Sequence, residues 1–139
     1  MDQAEIFAEV SAKIVGDDAR LAFFELLVRL NNDTSLTMRP YRHGYQRGIH
    51  LLFDPDGPVT GNLANGAQFA FDGAAQHLRW WFRPPCLKYL LLSPNEIADV
   101  FEHSQTRADD HSSVELCSKR DVDLLMPLLQ RAEARFREI

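Results

Sequence analysis

Cysteine is scarce in this chain of 139 residues. Its two cysteines, Cys86 and Cys117, lie at no metal-ligand spacing and form no CxxC pair. Glycine and proline contribute only seven residues each, which excludes collagen-like and low-complexity proteins. A chain of this length can bury an adequate core without disulfide bonds, so we expect a single domain over 1–139 in which both cysteines are small buried residues.

Long hydrophobic runs are absent as well. No stretch approaches the roughly 20 apolar residues that a membrane-spanning helix requires. The N-terminus, MDQAEIFAEV, is acidic and polar, whereas a secretion signal is basic and then apolar. These two absences predict a cytoplasmic protein that has no membrane partner.

Positive charge is in short supply, because 20 Asp and Glu residues against 15 Lys and Arg residues give a net charge of −5. Such a balance disfavours generic binding to nucleic acid. The charge is nevertheless uneven. Residues 36–90 carry six basic and three acidic side chains, whereas the segments 1–35 and 91–139 each have a net charge of −4. The middle of the chain is therefore where an anionic partner would bind.

Helical periodicity is found at both ends of the chain. Residues 3–14 show one apolar face, and in ARLAFFELLVRL the apolar residues cover most of the circumference, which predicts a second helix buried on more than one side. Ser93-Pro94-Asn95-Glu96 is typical of a capped helix start. The final helix should begin near Ser118, and Pro127 should kink or delay it.

Between these helices the period changes to two, which predicts strands in SLTMRPYRH, GIHLLFD, GAQFAFDG and HLRWWFR. Pro40 confines the first strand to an edge or a bulge, and Gly44 and Gly48 mark the turn after it. SVELC predicts a short fifth strand, and SQTRADDHS a polar loop. The fold class is therefore α+β, with an antiparallel sheet of about four strands plus a short fifth, two N-terminal helices and two C-terminal helices.

The two adjacent tryptophans in HLRWWFR must point to opposite faces of a strand. Trp80 aligns with Leu78 and Phe82 and is predicted to lie in the core. Trp81 then lies on the other face, which we call the reverse face. Alternation and neighbouring strands assign eight candidate binding residues to this face: Arg39, Tyr41, His43, His50, His77, Arg79, Trp81 and Arg83.

Arginines beside aromatic rings suit cation–π contacts, stacking and protein interfaces. The first hypothesis is a non-enzymatic interaction or regulatory domain whose partner is another protein or a second copy of itself. The alternative is a pocket for a small anionic ligand, with or without catalysis, that also uses His43, His50 or Cys86. A third hypothesis is binding of single-stranded nucleic acid. The opposing structural interpretation is that helices simply cover the reverse face.

Catalytic and metal-binding motifs are missing. None of the five histidines lies at a zinc-like spacing, and the sequence has no HExxH, GxSxG or glycine-rich phosphate loop. We therefore predict no metal, no cofactor and no catalytic residue, which favours a binding protein over an enzyme while leaving catalysis open.

Overall fold

One antiparallel sheet of six strands organises the chain. The computed structural model describes residues 3–43, 46–54, 66–73, 76–106 and 111–139, apart from the side chains of 42, 43, 46 and 47. Within these residues there are five helices and six strands, in the order α1 (Gln3–Lys13), α2 (Asp17–Asp33), β1 (Thr37–His43), β2 (Gln46–Leu52), β3 (Phe69–Asp72), β4 (Arg79–Phe82), α3 (Pro84–Lys88), α4 (Pro94–Val100), β5 (Gln105–Thr106), β6 (Ser112–Glu115) and α5 (Lys119–Arg137).

The strands lie in the order β1-β2-β3-β4-β6-β5, and every neighbouring pair is antiparallel. Helix α1 packs against β1 and β2, and α2 packs against α5. The face of the sheet that joins the core is apolar, as alternation requires, and it carries Ile49, Leu51, Phe69, Phe71, Trp80, Phe82 and Val114. The other face is the reverse face.

Local signals position the C-terminal helices. The Ser93 hydroxyl accepts a hydrogen bond from the Glu96 amide at 3.1 Å, and the Glu96 carboxylate accepts one from the Ser93 amide at 3.2 Å, so the predicted cap is present. Glu96 also accepts hydrogen bonds from Arg135 and Arg131 of α5. The Arg135 guanidinium lowers the pKa of Glu96 to about 2, although burial opposes this shift. These contacts connect α4 to α5.

The predicted α+β class with an antiparallel sheet and helices at both ends is confirmed, and Pro40 lies in the edge strand β1. Two elements were not predicted: the five-residue helix α3, and β5, which lies inside the segment interpreted as a polar loop. Such short elements carry too few residues for a visible period. The sequence DGAAQ also predicts a hairpin between β3 and β4, and DPDGPVTGNLANG predicts a loop; residues 74–75 of the first and 55–65 of the second lie outside the described residues.

Pro127 and Gly48 lie differently from expectation. Helix α5 begins at Lys119 and continues through Pro127, so the proline does not delay its start. A proline inside a helix costs about 3 kcal/mol, and the buried stripe on both sides of it, from Val122 to Phe136, offsets this cost. Gly48 lies inside β2 rather than in the turn before it. Its place there is explained by the Phe71 carbonyl oxygen and the ring of Tyr41, as shown below.

Helix α2 also differs from expectation. Its side with Ala22, Phe23, Leu26 and Leu30 is buried, but the opposite side is exposed in this single chain. None of the described helices combines the length and the apolar character needed to cross a membrane.

Candidate functional site

The reverse face is built by strand alternation on β1 to β4 and β6. Trp80 is fully buried against Phe69 and Phe71, with ring centroids 5.6 and 6.2 Å away. Its neighbour Trp81 points the other way and is half-buried. The Trp81 indole donates a hydrogen bond to Asp72, and its ring meets His111 edge to face with centroids 6.4 Å apart. The indole therefore lies on the reverse face.

Strand register places the reverse-face residues in rows across the sheet. One row runs from Tyr41 through Gly48 and Asp72 to Arg79. The next row runs Arg39, His50, Ala70, Trp81 and Ser113. Adjacent strands are about 4.8 Å apart, so the backbones of His50 and Trp81 are separated by roughly 10 Å, with only the small Ala70 side chain between them. The two rings therefore flank Ala70, whose own side chain is buried, and we call the strip of the reverse face between them the groove.

Hydrogen bonds fix the side chains that line this groove. The Trp81 indole N–H donates to the Asp72 carboxylate at 3.0 Å. Arg79 donates to the Ser113 hydroxyl at 3.2 Å, and Arg83, which follows β4, donates to the carbonyl of Ala67 at 2.8 Å. Half-buried side chains held in this way lose little further entropy when they bind a ligand.

Tyr41 and His50 form the other side of the groove. Their rings are stacked with centroids 4.1 Å apart and planes inclined by 21°. Gly48 makes this possible, because a Cβ at that position would approach the Tyr41 hydroxyl to 2.9 Å and the Phe71 carbonyl oxygen to 2.4 Å. The tyrosine ring therefore occupies the space above a glycine in the neighbouring strand.

Burial controls the protonation of this cluster. It raises the pKa of Tyr41 to about 12, and the nearby Asp72 carboxylate adds to the rise. It also lowers the pKa of His50 to about 4, with a further contribution from the charge of Arg83. The pKa of the Arg83 guanidinium is itself lowered by burial. At neutral pH the groove thus holds two uncharged hydrogen-bond donors beside a cation that is partly removed from water.

The low pKa of His50 predicts a pH-dependent stability. Between pH 6.5 and about 4 the unfolded chain binds a proton at His50 that the folded chain does not bind, so the free energy of unfolding falls as the pH falls through this window. Because the ring is partly solvated, we expect a loss of about 2 kcal/mol. His50→Phe keeps an aromatic ring and should flatten this slope in urea denaturation curves at pH 7.0, 5.5 and 4.5.

The matched control is His103→Gln, which alters an exposed histidine in a turn. It should retain the wild-type slope. A His50→Phe protein whose stability falls as steeply as that of the wild type would contradict the assignment.

The other candidate residues are less closely grouped. Arg39 is exposed beside His50 at the edge of the sheet. His77 is also exposed, and its Nδ1 lies 2.6 Å from a Glu115 carboxylate oxygen, so this pair is at the rim. His43 ends β1, and its side chain lies outside the described residues. Asp72 was missed, although it follows Ala70 by two residues and alternation assigns it to the same face.

The cysteines do not add a nucleophile to this face. Cys86 is buried as predicted, and burial raises the pKa of its thiol well above the ordinary value, so an activated thiolate is not formed there. Cys117 is exposed, which contradicts the prediction that both cysteines are buried, because it follows β6 at the start of the connection to α5. Among the described residues no group of three or more His, Cys, Asp or Glu side chains could hold a metal ion.

A second concavity, of about 450 Å³, lies where α1, the end of α2 and β1 meet. It is lined by apolar side chains and by the amides and hydroxyls of Gln3, Asn31, Thr34 and Thr37. Among the described residues, its lining includes no charged side chain and none of the candidate residues. The reverse face is therefore the better candidate for a specific polar ligand.

Comparison with known proteins gives no match: no family model, curated protein or solved structure is significantly similar to this chain. A functional assignment therefore depends on the fold and the reverse face. The fold is α+β, and its antiparallel sheet carries polar and aromatic side chains on the reverse face.

Proposed function

We propose that this protein is a non-enzymatic binding protein whose reverse face receives a small anionic ligand. The observation that supports this most directly is the stack of Tyr41 on His50, with ring centroids 4.1 Å apart, beside the half-buried Arg83, whose charge lowers the pKa of His50. An anion bound there would stabilise the Arg83 charge, and the phenol and the neutral imidazole would donate hydrogen bonds to it.

The shape of the groove suggests more about the ligand. Ala70 lies between the His50 ring and the Trp81 indole, and we propose that the flat part of the ligand binds between these two aromatic groups. Because Ala70 is only 3% exposed, binding there requires the side chains above it to move apart. Asp72 lies on the same face and accepts a hydrogen bond from the Trp81 indole. Its carboxylate would repel an anionic group at that end. We therefore place the anionic group of the ligand towards Arg83 and its flat part over Ala70.

Thermal denaturation in the presence of phosphate, sulfate, citrate, benzoate and nucleoside monophosphates tests this proposal. A ligand present at 100 times its dissociation constant stabilises the native state by about 2.7 kcal/mol, which raises the melting temperature by several degrees. Arg83→Met preserves the aliphatic part of the side chain and should weaken the binding of any hit at least tenfold by calorimetry. Ala70→Leu should fill the groove and have the same effect.

The matched control is Arg120→Ala, which removes an exposed arginine from the first turn of α5. It should leave the ligand affinity unchanged. If no anion in the panel shifts the melting temperature, or if Arg83→Met and Arg120→Ala behave alike, a small anionic ligand at this face is the wrong proposal.

A protein partner, the first hypothesis from the sequence, is the second candidate. It is favoured by the exposed Arg39 and His77 at the two sides of the reverse face, which enlarge the surface beyond the groove. Changing Arg79 and Trp81 together to Ala should then abolish complex formation while circular dichroism remains native.

The cytoplasmic location remains a proposal. Binding of single-stranded nucleic acid, the third hypothesis, also remains a proposal, and it predicts an affinity that falls steeply as the salt concentration rises.

A further inference from the structure

Gln68 is a buried residue with an unused hydrogen-bond donor. Its side chain is fully enclosed, and the amide nitrogen Nε2 has no partner in the described part of the chain. The amide oxygen Oε1 accepts a hydrogen bond from the Phe53 backbone N–H at 3.2 Å. Because a backbone N–H can only donate, the oxygen must face Phe53, and the group without a partner is therefore the NH₂ group. A buried donor without an acceptor is costly, and native proteins contain few of them.

Strand pairing places this donor beside Arg83. The Gln68 carbonyl oxygen accepts a hydrogen bond from the Arg83 backbone N–H at 3.0 Å, which continues the pairing of Phe69 with Phe82 by one residue. Side chains at such opposite positions lie on the same face, with Cβ atoms about 5 Å apart. Since Phe69 belongs to the core, alternation assigns Gln68 and Arg83 to the reverse face. They form a row next to the one that contains Ala70.

We propose that Gln68 is a further ligand-binding residue of the reverse face, and that its amide and the Arg83 guanidinium together hold the carboxylate of an aromatic monocarboxylic acid. This inference rests on the anion site proposed above and assigns the class of its ligand. One carboxylate oxygen would accept from the guanidinium and the other from the Gln68 NH₂ group, which would then be satisfied. The aromatic ring would lie over Ala70, between His50 and Trp81.

Charge favours a carboxylate over a phosphate at this position. The row that runs from Leu52 through Gln68 and Arg83 to His111 holds one permanent cation and no carboxylate. A carboxylate balances that single charge. A phosphate ester is largely dianionic at neutral pH, so it would leave a second negative charge in a buried position on the face that also carries Asp72, and burying an unbalanced charge is costly.

Hydrogen bonding favours a carboxylate over an uncharged amide. Arg83 and the NH₂ group of Gln68 can only donate, so an amide ligand would have to oppose its own NH₂ group to one of these donors. Sites built to pair with one kind of polar group reject analogues that leave a buried group unpaired. The enclosure of Gln68 strengthens this selection, because water cannot readily replace the missing acceptor.

Isothermal titration calorimetry of the full chain at neutral pH tests the ligand class with three probes that share a phenyl ring. They are benzoate, benzamide and phenyl phosphate. We expect benzoate to bind at least tenfold more tightly than either of the other two.

Two variants test the role of Gln68. Gln68→Glu keeps the side-chain length and an acceptor for the Phe53 N–H, but it replaces the donor with a carboxylate. Gln68→Met removes the donor without adding charge. Loss of a hydrogen bond to a charged group should weaken benzoate binding about tenfold in Gln68→Met, and repulsion should weaken it further in Gln68→Glu. The matched control, Gln130→Glu at an exposed position of α5, should bind benzoate as the wild type does.

The side-chain amide of Gln68 gives a direct signal. In ¹⁵N-labelled protein its NH₂ resonances are identified by their absence from spectra of the Gln68 variants. Benzoate should move these resonances downfield, because they become hydrogen bonded to a carboxylate. A residue with a purely structural role would not show this shift. Thermal denaturation without ligand verifies that each variant is folded, and Gln68→Glu retains the contact with Phe53 if Gln68→Met does not fold.

The outcomes separate this inference from the anion site on which it rests. If Arg83→Met weakens benzoate binding while both Gln68 variants bind normally, Gln68 is not a ligand-binding residue and the anion site stands. Tighter binding of phenyl phosphate than of benzoate would overturn the carboxylate assignment and leave the anion site in place. If neither these probes nor the anion panel bind, the inference fails together with the proposed function.

Discussion

We expect Trp80→Ala to lower the free energy of unfolding by about 3–5 kcal/mol, whereas Trp81→Ala, one residue away, should lower it by about 1–2 kcal/mol and leave a folded protein. The reason is the pleat of β4. Trp80 is fully buried among Phe69, Phe71 and Phe82, so its removal leaves a large cavity. Trp81 is half-buried and loses chiefly its hydrogen bond to Asp72.

Trp80→Phe is the informative control for this comparison. The Trp80 indole nitrogen is buried and has no hydrogen-bond partner in the described part of the chain, so a phenylalanine would lose ring area but also remove an unsatisfied donor. Its cost should therefore be well below that of the alanine change. Urea denaturation followed by circular dichroism gives all three values. Equal losses for Trp80→Ala and Trp81→Ala would show that the two rings do not lie on opposite faces of the sheet.

Gly48→Ala should destabilise the protein by about 2–3 kcal/mol, a large effect for one added methyl group. The new Cβ would lie 2.4 Å from the Phe71 carbonyl oxygen, which belongs to the neighbouring strand β3. That oxygen cannot move without disturbing the pairing of the two strands. The methyl group would also displace Tyr41 from its stack on His50, so the groove should lose ligand affinity together with stability.

Two further variants separate the causes of this effect. Gly16→Ala places a methyl group in open space at a backbone φ of +101°, so it measures conformational strain alone, and we expect about 1 kcal/mol. Combining Gly48→Ala with Tyr41→Ala removes the contact with the ring but keeps the clash with the Phe71 carbonyl, and most of the destabilisation should remain. If the double variant were as stable as Tyr41→Ala alone, the tyrosine ring would be the only reason for a glycine at this position.

The candidate site could be assigned in part before the structure, because alternation on a strand is a local property. The period of two in HLRWWFR separates Trp80 from Trp81 whatever the rest of the chain does. The same rule groups Arg79 and Arg83 with Trp81. It could not show that Ala70 lies between His50 and Trp81, because strand register joins residues that are 20 and 11 positions apart in sequence. The stacking of Tyr41 on His50 likewise depends on the pairing of β1 with β2.

The sequence by itself determined the α+β class, the restriction of β1 to an edge or a bulge, the capped start of α4 and the identity of the core tryptophan, because periodicity, proline geometry and capping act within a few residues. Only the tertiary structure decided that α5 continues through Pro127, that Gly48 lies beneath Tyr41, and that α2 keeps an apolar side in solvent. These three outcomes depend on packing between segments far apart in the chain, where burial and steric contact outweigh local conformational preference.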